Sequence, residues 1–246
     1  MEWFKSWFNT PYYFILYKNR DFSEAEEFIK RLVLDLDLKA GAEVIDLACG
    51  KGRHSVYLNK IGYNVLGLDL SEESIAHNKG FEVKTEPWLR FDVHDMRDRI
   101  QGKPVDAVFN LFTSFGFFDD EKDDAKVFHS VSEALKTEGL FVLDFLNERF
   151  VANTLQQETE VEREGITFKI DKKIEGKYVV KDIRFSDAGE DFHFYEKVKL
   201  HTLEEIHQLA KANGFQRVKL YGDYQLSSFD LETSPRCISV FKKIKE

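Results

Sequence analysis

The chain has 246 residues, 43% hydrophobic and 14% aromatic, which excludes a disordered polypeptide and supplies the core of one α/β domain with a small appendage. A formal net charge of −9, with no dense Lys/Arg run, argues against a DNA or RNA partner and for a small-molecule one. The two cysteines, Cys49 and Cys237, have neither disulfide-framework nor metal-ligand spacing, so no metal site is expected and a reducing, cytoplasmic setting fits.

The aromatic start, Met1 to Arg20, lacks the cleavage site of a signal peptide, and no stretch approaches the ~20 apolar residues of a membrane span. Tyr12 to Arg20 predicts a helix on which Tyr13, Tyr17 and Arg20 share a face. The capping box Ser23-Glu24-Ala25-Glu26 opens a helix over 24–37. Glu43 to Ala48 predicts a buried strand, broken at Gly50 and Gly52, with a helix over 54–61 after it. Strands follow at 63–69, 88–93, 105–112 and 139–145, with a short helix capped by Ser71 and a longer one over 119–136 between them. This alternation indicates βαβ units and a parallel sheet. From about Glu160 to Leu200 the pattern changes to short β runs separated by turn signals, which predicts an antiparallel insertion. A second capping box, Thr202 to Glu205, starts a helix ending at Asn213-Gly214, and strands at 215–221 and 237–242 close the chain. The expected division is one binding domain over 1–150 and 201–246 and an inserted unit over 151–200.

In open α/β sheets ligands bind beyond the carboxyl ends of the strands, where strand order reverses. Here the first strand ends in Asp46-Leu47-Ala48-Cys49-Gly50-Lys51-Gly52, a glycine loop leading into a helix N-terminus that favours an anionic group. The second strand ends at Asp69, at the spacing where a carboxylate accepts hydrogen bonds from a ribose diol. The loop lacks the third glycine of a dinucleotide fingerprint, which weakens a nicotinamide-dependent oxidoreductase as the alternative. It carries Asp46 instead, which suits a ligand with an ammonium group, as in S-adenosylmethionine. A non-catalytic scaffold would predict damaged motifs, yet Asp46, Asp69 and Asp95 are all present.

Val44 to His54 resembles motif I of class I S-adenosylmethionine-dependent methyltransferases, and Leu66 to Ser71 resembles their ribose-binding second strand. Asp92 to Arg97 looks like their adenine-side segment, and Val105 to Phe112 like their fourth-strand motif. The resemblance implies an α/β, Rossmann-like, doubly wound sheet of seven strands, mostly parallel with an antiparallel last strand, plus a small antiparallel β insertion. It implies Asp46 near the methionine amino group or its ordered water, Gly50 and Gly52 shaping the methionine pocket, and Ala48, Cys49 and Arg53 among the cofactor-binding residues. It further implies Asp69 on the ribose, Leu70 and Met96 against adenine, Asp95 accepting from the adenine amino group, and Asn110 and Phe112 close to the sulfonium. Similar enzymes use an N-terminal helix as a lid, which places Tyr17 and Arg20 by the methionine carboxylate.

The run Ser114-Phe115-Gly116-Phe117-Phe118 resembles a bacterial small-molecule subgroup that carries an insertion after the fifth strand, broadly similar in layout to sugar and glycine N-methyltransferases. The acceptor is expected to be a small molecule methylated on N or O. An amine acceptor needs little beyond alignment, whereas a hydroxyl usually needs a base. His193, Tyr195, His201 and Asp144 are the candidate bases, each with an ordinary packing or turn role as the alternative. Arg236 either binds an acidic acceptor or lies on the surface. Trp3, Phe4, Trp7 and Phe8 either close the lid or form a contact in a homodimer.

Overall fold

The computed structural model describes residues 2–18 and 22–244, so Arg20 and the capping side chain of Ser23 lie outside the described residues. Val44, Ile45 and Leu47 make β1 (Glu43–Leu47) apolar on both faces, as a central parallel strand covered on two sides requires. β2 (Asn64–Asp69) and β3 (Leu89–Val93) extend the sheet on one side of it; β4 (Val105–Asn110) and β5 (Leu135–Leu146) extend it on the other. Two late strands, β10 (Phe215–Tyr221) and β11 (Arg236–Lys243), complete the order β3-β2-β1-β4-β5-β11-β10, with β11 antiparallel to both its neighbours. Strand order therefore reverses between β1 and β4, and the carboxyl ends of these two strands frame a crevice.

Helices α3 (Phe22–Asp35), α4 (Arg53–Lys60) and α5 (Glu72–Asn78) precede the middle of the sheet in the chain, and α6 (Glu121–Ala134) and α8 (Leu203–Ala212) come later. One core cluster joins Phe28, Ile29 and Leu32 of α3 to Phe91 and Phe109 of the sheet. The other joins Phe128 of α6 to Phe141, Phe215 and Phe241, whose rings meet edge-on or tilted at 5.5–6.4 Å. The Thr202–Glu205 box caps α8 in both directions.

The second sheet is β6 (Glu158–Arg163), β7 (Ile166–Glu175), β8 (Tyr178–Asp187) and β9 (Glu190–Lys199), all antiparallel in chain order. Its inner face merges with the second core cluster through Phe168, Ile170, Ile183 and Phe185. The helix expected from Tyr12 begins one residue earlier and ends at Leu16, as α2 (Pro11–Leu16), and a further short helix, α1 (Trp3–Trp7), precedes it. Thr10 separates them by accepting a hydrogen bond from the Tyr13 N–H, with Pro11 at the first helical position. Trp7 stacks on Phe194 at 4.6 Å and Tyr12 meets Phe185 and Phe192 at 4.7 Å, so the aromatic start lies on the insertion sheet.

Three further boundaries differ from the sequence pattern. The fourth strand stops at Asn110, because Phe112 and Thr113 adopt left-handed backbone (φ 62° and 59°) and turn the chain out of the sheet. The fifth strand starts at Leu135, pairing early with Val105 before a register shift. α7 (Glu148–Thr154) follows β5 unannounced by apolar periodicity, capped by Asn147, which also donates to the carbonyls of Leu231 and Ser234. Among the described residues, no helix is long and apolar enough to cross a membrane.

Candidate active site

The chain leaves β1 through left-handed conformations at Ala48, Gly50 and Gly52 (φ 60°, 53° and 74°). Gly50 needs glycine for its φ alone, since a Cβ there would meet nothing. Gly52 needs it twice over, since a Cβ would also press on the Phe91 ring at 3.0 Å. This turn brings the Gly50 N–H to Asp69 at the end of β2, to which it donates at 2.8 Å; the Ser71 N–H donates to the other carboxylate oxygen at 2.8 Å. Two adjacent strand ends are thus tied together by one carboxylate. Burial still raises the Asp69 pKa, against the lowering by these backbone donors.

A cavity of about 980 Å³ opens above this junction. It stands at the upper end of the roughly 300–1,000 Å³ usual for small-molecule sites, which leaves space for two ligands side by side. Ala48, Cys49, Gly50, Arg53 and Asp69 form one part of its wall. Leu70, Asp95 and Met96 form the next part, and Tyr17 and Phe112 line it from the end of α2 and from the loop after β4. Asp46, Gly52 and Asn110 lie behind the wall. Asp46 is buried and accepts from Ser55 Oγ at 2.5 Å; burial, and secondarily the charge of Asp69, push its pKa up to about 6. Asn110 donates to the Leu47 carbonyl and to Ser114 Oγ, lacing β4 to β1 below the loop. Burial keeps the Cys49 thiol far above its ordinary pKa, so it is a wall residue and no thiolate nucleophile.

Asp95 is held by Arg97, whose Nε and Nη2 donate to its two oxygens at 3.0 and 2.6 Å. Burial alone would raise the Asp95 pKa, but the Arg97 hydrogen bonds hold it below the ordinary value. Arg97 also bonds Glu2 before α1 and Asp123 on α6, which ties the start of α1 to this side of the cavity. Trp3, Phe4 and Trp7 are all buried within the chain, with Trp3 and Phe4 against Phe117.

The loop after β4 carries its strained backbone in a dense frame. Asp144 accepts the Phe112 N–H at 2.9 Å and the Tyr224 hydroxyl at 3.2 Å. Arg236 donates to Asp144 and, through Nη2 at 2.7 Å, to Thr113 Oγ1. Tyr224 stacks on Phe112 at 4.9 Å, and the Arg53 guanidinium lies over the Phe112 ring at 3.8 Å. Arg236 is thus a buried partner of Asp144 that also reaches the cavity wall, so a surface role does not hold for it. His54, next to Arg53, is buried with Nε2 unpartnered among the described residues; burial, then the Arg53 charge, lower its pKa well below the ordinary value.

None of the four candidate bases lines the cavity. His193 and Asp182 meet at 3.0 Å on the exposed face of the insertion sheet, and Tyr195 leans toward Trp3. His201 is buried on Asp124 at 3.2 Å, and Asp144 is taken by Arg236. The residues missed in the sequence are on the insertion sheet. Its inner face reads apolar, apolar, then polar along β7, as Phe168, Ile170, Lys172, and the cross-strand register aligns Lys172 with Lys181 and Lys181 with Glu196. All three line the cavity. Glu196 accepts from Trp7 Nε1 at 2.8 Å and from the Tyr17 hydroxyl at 2.7 Å, and Lys181 donates to the same hydroxyl. A break in strand alternation was the available signal, readable only once the inner face is known.

The model of a methyltransferase-domain family matches residues 17–220. A glycine/sarcosine N-methyltransferase of Aphanothece halophytica is 31% identical over 221 residues, covering 84% of this chain and 77% of that protein. A dTDP-3-amino-3,4,6-trideoxy-alpha-D-glucopyranose N,N-dimethyltransferase of Streptomyces venezuelae is 26% identical over 217 residues, covering 86% of this chain and 88% of that one. Among solved structures, an S-adenosylmethionine-dependent methyltransferase from Clostridium acetobutylicum ATCC 824 superposes with a TM-score of 0.78 at 18% identity, over 95% of this chain and 96% of the other, which shows a common fold. The cavity fits that cofactor: a carboxylate at the end of β2, apolar Leu70 and Met96 beside it, and an orphaned buried imidazole nitrogen at the head of α4. The chain belongs to the methyltransferase-domain family and is an S-adenosylmethionine-dependent methyltransferase, with S-adenosylmethionine as its cofactor.

Proposed function

We propose that the chain transfers the methyl group to a nitrogen or oxygen of a small molecule, with an amine nitrogen favoured, and that this acceptor sits between the loop after β4 and the insertion sheet. The observation that carries the reading is the reach of the cavity beyond the Asp69 junction: its lining also takes in Phe112 after β4, Leu146 and Val151, and Val179 and Val198 of the insertion sheet. A cavity of about 980 Å³ suits a small molecule better than a polymer.

Bound cofactor supplies an electrophilic methyl on a sulfonium. The chain supplies alignment and a dry enclosure, which suffice for an acceptor that brings its own lone pair. Among the described residues, the carboxylates on the wall are already engaged: Asp69 by backbone, Asp95 by Arg97, Glu196 by Trp7 and Tyr17. His54 is kept neutral and weakly basic by burial. His94 also lines the cavity, with its Nε2 unpartnered among the described residues, and is the side chain placed to take a proton from a hydroxyl acceptor. The names of the two N-methyltransferase relatives support nitrogen over oxygen.

The test is S-adenosylhomocysteine release across a panel of small amines and alcohols, with the product's mass recorded. Methylated amines are the expected products. Turnover confined to a protein or RNA substrate would overturn the reading.

A further inference from the structure

The row Lys172–Lys181–Glu196 is a polar break between two apolar rows of the inner face. The neighbouring rows are Ile170–Ile183–Phe194 on one side and Ile174–Val179–Val198 on the other. Like charges placed directly opposite on paired strands destabilise a sheet, so Lys172 against Lys181 is a local cost. The cost is only half relieved within the chain. Lys181 has Glu196 at 3.6 Å and the Tyr17 hydroxyl beside it. The Lys172 ammonium, half-buried on the cavity wall, has no carboxylate or hydroxyl partner among the described residues. The wall has a cationic excess there in a chain whose formal net charge is −9.

We propose that Lys172, supported by Lys181, is an anion subsite that holds a carboxylate or phosphate group of the acceptor. An anion between the two ammonium groups converts their repulsion into two attractions and supplies the partner that Lys172 lacks. Glu196 keeps Lys181 aimed along the row and rejects an anion that enters too far. The acceptor is then a small amine carrying a negative group at its other end, and the separation of Lys172 from the loop after β4 selects its length. This inference rests on the small-molecule reading above.

The experiment uses the full chain saturated with S-adenosylhomocysteine. The 15N-indole signal of Trp7, which donates to Glu196 at the end of the row, is the reporter. Inorganic phosphate and acetate are the two probes, and whichever binds more tightly names the anion. The expected result is a saturable shift of the Trp7 signal with at least one probe. In Lys172→Gln that affinity falls on the order of tenfold or more, and in Lys172→Arg it returns. No saturable shift with either probe, or an equal affinity in Lys172→Gln, overturns the subsite.

Turnover separates this from the parent reading. Ethanolamine, phosphoethanolamine and β-alanine differ in the group at the far end from the amine. Methylation of ethanolamine that exceeds both charged amines and is unchanged in Lys172→Gln would leave the small-molecule reading standing and sink the anion subsite.

Discussion

Asp69 meets the cavity with a carboxylate already oriented by the N–H groups of Gly50 and Ser71. Its remaining lone pairs are fixed in direction before any ligand arrives, which suits a vicinal diol. Asp69→Ala removes both the acceptor and the tie between the two strand ends. Loss of two charge-assisted hydrogen bonds, each on the order of 1.5–3 kcal/mol, should weaken S-adenosylmethionine binding by at least a hundredfold in calorimetry. Unaltered affinity would show that the ribose is held elsewhere.

Asp46 poses the opposite problem, a buried carboxyl that resists ionisation. Its folded pKa of about 6 lies above the ordinary 3.8, so the folded chain holds this proton more tightly than the unfolded one. Stability from this group is full below pH 4, is lost as the pH rises toward 6, and stays lost above it. The displacement corresponds to roughly 3 kcal/mol at most. Asp46→Asn should therefore raise the melting midpoint of the ligand-free protein at pH 7.5 and leave it almost unchanged at pH 4. A lower midpoint at pH 7.5 would mean that the ionised carboxylate is stabilised by something beyond Ser55.

At the scale of elements, the left-handed turn at Phe112 and Thr113 depends on a pair from two other strands, Asp144 of β5 and Arg236 of β11. Asp144→Asn leaves a buried guanidinium without its charge partner and should cost about 3–5 kcal/mol in urea unfolding. Adding Arg236→Met should recover part of that loss, because the uncompensated charge goes with it. Strictly additive losses would show that the two side chains act independently.

The same elements show what was legible in the sequence. The donor wall is local: a glycine loop, a strand end and a capped helix lie within 43–78, and each feature has its own residue signature. The order of strands and the antiparallel insertion followed from periodicity and turn residues. Lys172, Lys181, Glu196, Tyr224 and Arg236 are brought together by cross-strand register and by chain reversals over more than 60 residues, which local patterns do not encode. Tyr195 and His193 drew notice as chemically capable side chains, but strand alternation turns them to the outer face. The helix expected from Tyr12 starts at Pro11 because Thr10 and Pro11, a cap and a first-turn proline, fix its beginning.

For the whole molecule, the N-terminal segment is attached to the insertion sheet through aromatic stacking and through Glu196, which receives hydrogen bonds from Trp7 on α1 and from Tyr17 at the end of α2. Glu196→Ala removes a charged acceptor from both. Amide exchange over residues 3–17 should accelerate by about tenfold or more while the seven-stranded sheet keeps its protection. Uniform acceleration across the chain would point to global destabilisation instead.

That shared carboxylate also sets a rule for the two ligands. Tyr17 and Lys181 both line the cavity and both lean on Glu196, and in the proposed arrangement the first borders the donor and the second the acceptor. An occupant that orders the segment from one side lowers the ordering cost met by the occupant of the other. Linkage makes the effect symmetric: the factor by which the cofactor tightens acceptor binding equals the factor by which the acceptor tightens the cofactor. In that arrangement the methyl donor is held loosely when alone and firmly when there is something to methylate.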